Sequence, residues 1–248
     1  MDQDNLLRIA VEAADRASQL IRGRAVGSLT YKGERDYASE VDYAVERELR
    51  EFLAAATPSI GLLGEEEGAT GAVERRWVLD PVDGTVNFAH GLPLCGVSLA
   101  LVEGNRPVLG VIDLPFLGGR YVASLGGGAY RNGQRVHTSQ AASLGEAVVS
   151  VGDYAVGEGA RGRNRSRLAV TSQLAQQVLR VRMLGSAAVD LAWLAEGKTD
   201  AMITLSNKPW DTAAGVVIAR EAGAVVVDVD GSDHTTESTA TIAAAPGR

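Results

Sequence analysis

The sequence predicts a mixed fold, α+β in its first half and α/β in its second. Three patterns carry that expectation: two helix-period stretches near the start, a run of strand-length apolar segments joined by tight turns, and strand and helix patterns that alternate beyond about residue 145.

From Leu6 to Ile21 apolar residues recur at helical spacing, with Ile9, Ala13, Ala17, Leu20 and Ile21 on one side, so the chain opens with a core-facing helix. Val41, Val45, Leu49 and Phe52-Leu53 mark a second helix between about Glu40 and Ala56. The polar segment between them, Leu29 to Ser39, carries Lys32 and Asp36 and leads to Asp42. Ile60 to Leu63 and Trp77 to Leu79 read as short buried strands, and each ends in acid: Glu65-Glu66-Glu67 after the first, Asp80 and Asp83 after the second. Gly96 to Val102, Val108 to Leu114 and Arg120 to Ser124, separated by turn residues, read as an antiparallel meander, with Gly126-Gly127-Gly128 as a hairpin turn.

A composition change near Thr138 to Gly145 divides the chain into two subdomains of one unit, 1–140 and 141–248. The second continues with strands Ala147 to Val151, Val178 to Leu184, Asp200 to Leu205, Ala224 to Val229 and Thr241 to Ala245. Helices near Leu168 to Gln177, Ala187 to Glu196 and Asp211 to Glu221 alternate with them.

At 248 residues, 46% hydrophobic and 22% charged, the chain has the composition of a globular protein with a substantial core. A net charge of −7 argues against a nucleic-acid binder and for local positive counter-ions. Cys95, the only cysteine, has apolar neighbours that suggest a buried strand position. No stretch has the length of a membrane helix and the start is not a signal peptide, so the expectation is a cytoplasmic protein. His90, His137 and His234 lie far apart, which leaves zinc chemistry without support.

The most informative stretch is Trp77-Val78-Leu79-Asp80-Pro81-Val82-Asp83-Gly84-Thr85-Val86-Asn87-Phe88, which drives an apolar strand into two carboxylates three residues apart. Pro81 is expected to stop the strand and let oxygens turn toward one point. Gly84 permits close backbone approach, and a helix or turn starting there would offer free N–H groups to a phosphate. An ordinary Asp-Pro turn followed by an Asp-Gly turn is the alternative. Asp211, behind Trp210 at the first turn of a helix, is by itself either a cap or a ligand.

Taken in order, Gly64-Glu65-Glu66, Asp80-Pro81-Val82-Asp83-Gly84-Thr85 and Trp210-Asp211-Thr212-Ala213-Ala214-Gly215 resemble the inositol monophosphatase family of metal-dependent, lithium-sensitive phosphatases. Lys32 to Asp42 and Gly185-Ser186-Ala187 extend the resemblance through nearly the whole chain. It implies a layered αβαβα sandwich of the inositol monophosphatase and fructose-1,6-bisphosphatase type, working as a homodimer. It also implies two to three Mg²⁺ per subunit, held by Glu65, Asp80, the Val82 carbonyl, Asp83 and Asp211. Metal-activated water would attack phosphorus in line, with Thr85 orienting it and bonded to Asp42, and with Glu65 as a candidate proton acceptor. Gly84, Thr85, Gly185, Ser186 and Ala187 would cradle the phosphate and the sugar-like group, beside Asp83, Thr204 and Asp211. Glu66 and Lys32 would support the metals.

Thr204 stands where inositol-preferring members of the family carry a glutamate, which separates the question of substrate from that of chemistry. The expected substrate is a small phosphorylated metabolite, inositol 1-phosphate first. Histidinol phosphate and fructose 1,6-bisphosphate are the alternatives, and a non-catalytic regulatory protein on the same fold is the rival class. Val86-Asn87 argues against the nucleotide bisphosphatase branch. Most relatives continue into a further helix after the last strand; ending at Arg248 is expected to leave apolar surface for a partner subunit. Arg161 to Arg167, with four arginines, reads as a solvated loop without the aromatics of a nucleic-acid site. Asp190 lies near the pocket or caps a loop.

Overall fold

The computed structural model describes residues 2–25, 27–33, 36–141 and 143–247; Met1, Val26, Glu34, Arg35, Ala142 and Arg248 lie outside them, as does the side chain of Asp36. The elements follow in order: α1 (Gln3–Gly23), β1 (Leu29–Gly33), β2 (Asp36–Ser39), α2 (Glu40–Ala56), β3 (Gly61–Gly64), β4 (Gly68–Thr70), β5 (Arg75–Asp83), α3 (Thr85–Ala89), β6 (Gly96–Glu103), β7 (Arg106–Leu114), β8 (Gly119–Ser124), β9 (Gly128–Arg131) and β10 (Gln134–Arg135). After a short 3₁₀ turn come β11 (Val148–Val151), α4 (Ala160–Gln177), β12 (Arg180–Arg182), α5 (Ala187–Ala195), β13 (Ala201–Thr204), α6 (Pro209–Glu221), β14 (Val225–Val227) and β15 (Thr241–Ala244).

Strand alternation builds the layers. On β5, Trp77 and Leu79 point to one face and join the apolar stripes of α1 and α2, while Val78 points to the other and meets Ala188, Val189, Ala213 and Ala214 of α5 and α6. The far side of those two helices, through Leu191, Leu194 and Val216, packs on Met202, Val226 and Ala243 of a second sheet. With α4 on its outer side against Val151 and Ile203, the layers read α, β, α, β, α. The first sheet has the order β10-β9-β8-β7-β6-β5-β3-β4, antiparallel except for β3 with β5; the second has the order β12-β11-β13-β15-β14. Trp77 is fully buried and its indole N–H donates to Thr57 Oγ1 at 3.0 Å, so Trp77→Ala would cost roughly 3–5 kcal/mol.

Three sequence expectations change. Pro81 does not end its strand: β5 runs on to Asp83, and the register slips between Asp80↔Ser98 and Asp83↔Gly96, three residues against two. The extra residue is a bulge placed where proline lacks a ladder donor, and it re-aims the strand end. Arg161 to Arg167 is the first half of α4 rather than a loop, and Arg167 is buried there with Nη2 on Ser206 Oγ at 2.8 Å. The missing apolar stripe hid this helix turn. Cys95 is buried as expected but precedes β6, and burial first, then Asp83 and Asp42, pushes its thiol up to about 12.

Candidate active site

Asp80 is carried on the C-terminal part of β5, fully inside the core at 2% exposure, with Oδ1 accepting the Val82 N–H at 3.1 Å. Burial lifts its pKa well above the ordinary carboxylate range, and the charges of Glu65, Asp83, Asp211 and Asp42 lift it further. Those four acids come from α2, the turn after β3, the end of β5 and the first turn of α6. Ser98 fixes the last of these, donating to the Trp210 carbonyl at 3.3 Å from the position opposite Asp80.

Asp83 turns toward the start of α5. Its Oδ2 accepts the Ser186 hydroxyl at 2.6 Å and the Ala188 N–H at 2.5 Å, although burial still raises it to about 6. Ser186 also caps α5, its oxygen accepting the Val189 N–H at 3.2 Å. Asp211 keeps both roles allowed to it: Oδ2 accepts the Lys208 N–H at 2.7 Å as a cap, while burial and the nearby Asp83 and Glu65 raise it to about 7. Glu65 pairs with Lys32 Nζ at 2.7 Å, and Lys32 also meets Glu66 at 2.9 Å. Burial draws the Lys32 ammonium down, but Glu65 and Glu66 outweigh it and hold it above its usual range. Burial dominates at Glu66 and raises it to about 7 despite Lys32.

Gly84 has φ +88°, and a Cβ there would stand 2.8 Å from the Leu94 carbonyl, so only glycine makes the corner into α3. Thr85, next along, donates to Asp42 Oδ1 at 3.0 Å and lies 3.1 Å from the Val82 carbonyl. Asp42 in turn takes the Ser39 N–H at 2.9 Å and the Ser39 hydroxyl, closing the capping box of α2. Burial raises its pKa.

Two cavities meet along this loop. One, about 680 Å³, runs past Tyr37, Glu65, Thr85 and Asn87 to Gly185; the other, about 210 Å³, holds Asp83, Ser186, Ala187, Thr204 and Asp211. The predicted residues are therefore brought together. Among the described residues, however, no three His, Cys, Asp or Glu side chains are already disposed to hold a metal. Each acid is instead turned to a protein donor: Glu65 to Lys32, Asp83 to Ser186 and Asp211 to Lys208. The donor set still fits a hard divalent cation, since it is all oxygen and the acids raise one another's pKa for want of positive charge.

Sequence reasoning missed Glu46 and Asn87. Glu46 is fully buried on α2 and accepts the Glu66 and Glu67 N–H groups at 2.8 Å each, so it shapes the acidic turn; Arg50 pairs with it at 2.7 Å. The signal was Asp42, Glu46 and Arg50 at four-residue spacing along one helix stripe. Asn87 Nδ2 ties α3 to the Leu94 and Leu184 carbonyls at 2.8 and 2.7 Å, and nothing in its local sequence announces that. Asp190, left open by the sequence, lines the smaller cavity; burial raises it to about 8, Ser150 opposes this, and Asp83 and Asp153 add to it.

A sequence model of the inositol monophosphatase family matches residues 2–248. Inositol-1-monophosphatase ImpA of Mycolicibacterium smegmatis is 37% identical over 244 residues, 98% of this chain and 88% of that protein. A fructose-1,6-bisphosphatase/inositol-1-monophosphatase of Thermotoga maritima is 36% identical over 201 residues, 81% of this chain and 75% of its own length. Among solved structures, the extragenic suppressor protein suhB from Bartonella henselae superposes with a TM-score of 0.90 at 32% identity, covering 97% of this chain and 93% of that one.

Proposed function

The chain belongs to the inositol monophosphatase family, a family of phosphoric monoester hydrolases, and from that premise we propose that it is a Mg²⁺-dependent phosphatase of a small polyol or sugar monophosphate, inositol 1-phosphate first among them. The observation that carries the reading is the gathering of Asp80, Asp83 and Asp211, each raised by burial and by neighbouring acids, at one place with the Lys32-paired Glu65, beside the Thr85–Asp42 pair. Glu65, Asp80, the Val82 carbonyl, Asp83 and Asp211 would hold Mg²⁺ in two or three positions, where it would supply an activated water and charge for the departing alkoxide.

The protein's own share is positioning and proton handling. Because the Thr85 proton is directed to Asp42 or the Val82 carbonyl, its oxygen lone pairs face outward to receive a hydrogen bond from the attacking water. Glu65 is the acceptor for that water's proton, and Lys32 and Glu66 keep its carboxylate in place. Ser186 and the Ala188 N–H fix Asp83, and with Gly84, Gly185 and Ala187 they frame the substrate's phosphate side. Thr204 and Asp211 face the leaving alcohol from the smaller cavity.

The division into subdomains 1–140 and 141–248 belongs to the same proposal, the first carrying the metal loops and the second Asp211 and the substrate pocket. No helix among the described residues is long and apolar enough to cross a membrane, and a cytoplasmic homodimer is part of the reading. Val225 and Val229, exposed on and beside the edge strand β14, are apolar surface a second subunit would cover. Phosphate release from inositol 1-phosphate, fructose 1,6-bisphosphate and histidinol phosphate, measured with and without Mg²⁺ and lithium, tests the reading. The expected result is Mg²⁺-dependent, lithium-inhibited release that favours inositol 1-phosphate and is lost in Asp211→Ala. Hydrolysis that ignores Mg²⁺ or survives that change overturns the site; no hydrolysis leaves the regulatory reading.

A further inference from the structure

The smaller cavity has a polar wall that the phosphate chemistry does not use. Asp190, in the first turn of α5, is 2% exposed, and its Oδ1 has no hydrogen-bond partner among the described residues. A buried carboxylate oxygen is costly to leave unpaired. The side chain lines the cavity with Gly152, Asp153, Met202 and Thr204.

The hydroxyl donors nearby are already engaged, that of Ser150 by the Asp190 side chain itself. Ser186 Oγ and the Ala188 N–H both serve Asp83, and Thr204 gives its proton to the Ser206 carbonyl at 3.0 Å. What remains on this wall is the Asp190 oxygen, the exposed Asp153 carboxylate and the lone pairs of Thr204. A second phosphate or a carboxylate on the substrate would add negative charge beside Asp83, Asp153 and Asp211. A hydroxyl fits at any protonation state, since it can donate to an ionised carboxylate or accept from a protonated one.

We infer that Asp190 is a specificity-determining residue, which with Asp153 takes hydrogen bonds from hydroxyl groups on the leaving alcohol and so selects a polyol over a substrate with a second anionic group. The inference rests on the phosphatase reading above and adds the group that recognises the alcohol.

Glycerol 2-phosphate and isopropyl phosphate test it, because they share a branched leaving group and differ by two hydroxyls. Steady-state kinetics at saturating Mg²⁺ compare the wild type with Asp190→Asn. At about pH 9, where the Asp190 carboxylate is ionised, the ratio of kcat/KM for glycerol 2-phosphate over isopropyl phosphate is expected to fall about tenfold in the variant, carried by KM, as for loss of one charge-assisted hydrogen bond. A ratio within about twofold of wild type overturns the inference. Should Asp190→Asn fail to fold by circular dichroism, Asp190→Ala takes its place: a fall of about tenfold in the ratio is again expected, and a ratio within about twofold of wild type overturns the inference. Release of phosphate from neither ester refutes the phosphatase reading itself.

Discussion

Thr85 Oγ1 stands 3.0 Å from Asp42 Oδ1, so a hydroxyl at the head of α3 is bonded to a buried carboxylate in the first turn of α2. The pair joins two elements 43 residues apart and leaves the threonine oxygen directed by a fixed proton.

Thr85→Val keeps the side-chain volume and removes that hydroxyl. Turnover is expected to fall on the order of 10²-fold with KM changed little, the size usual for a lost proton-handling group. Steady-state kinetics with a far-ultraviolet circular dichroism spectrum check it. A kcat within a factor of about two of wild type would remove Thr85 from the mechanism.

Asp83→Asn is expected to lower turnover by orders of magnitude while the fold persists, because the amide keeps the shape but loses the charge that the cation needs. Its Oδ2 meets two donors, Ser186 Oγ and the Ala188 N–H, so an amide oxygen turned to them satisfies both. Near-normal phosphatase activity would sink the site assignment.

Lys32 is the cation that holds Glu65 and Glu66 together. Lys32→Met leaves the almost fully buried Glu66 carboxylate beside Glu65 without that charge, and a loss of about 1–3 kcal/mol is expected. Adding Glu66→Gln should recover part of it, since a neutral amide tolerates the site. Urea unfolding of the single and double variants measures this; additive losses would show that the two residues do not interact.

Most of the fold was legible because its signals are periodic. The stripe Val41, Val45, Leu49 and Leu53 predicted α2 at the bounds it adopts, and the meander from Gly96 to Ser124 followed from apolar runs broken by turns. The start of α4 was not legible, because Ala160 to Arg167 has no apolar stripe and its anchors are polar: Asn164 on both backbone groups of Ala155 and Arg167 on Ser206. At the site, the acids were visible as residue types, since Asp80, Asp83 and Asp211 stand in short motifs. Their supports were not, because Glu46 and Asn87 act on backbone groups brought near only by folding.

Gly64→Ala tests the support from Glu46. A Cβ on Gly64 would overlap the Glu46 carboxylate, which must then leave the Glu66 and Glu67 N–H groups. The expected loss is about 2–4 kcal/mol, chiefly from overpacking, with two part-buried donors losing their partner as well. Activity should fall as well, since the displaced turn carries Glu65. Thermal melts and kcat together check it, and a melting temperature equal to wild type would show that Glu46 does not shape the turn.

The acid cluster makes metal-free stability depend on pH in an unusual direction. Folding raises Asp83 to about 6, Asp211 to about 7 and Asp190 to about 8, in each case chiefly by burial. Between the ordinary carboxylate range near pH 4 and those raised values, the folded chain binds more protons than the unfolded one. The stability they contribute is therefore complete below about pH 4 and is lost as pH rises toward about 8. In EDTA the melting temperature should fall by several degrees between about pH 5 and pH 8. Mg²⁺ replaces the protons as counter-charge, so it should raise the melting temperature strongly at pH 8 and little at pH 5. Calorimetric titration of Mg²⁺ near pH 7, in buffers of different ionisation enthalpy, should register proton release for the same reason. A flat melting profile in EDTA, or Mg²⁺ binding without proton release, would mean that these carboxylates are not competing for one deficit of charge.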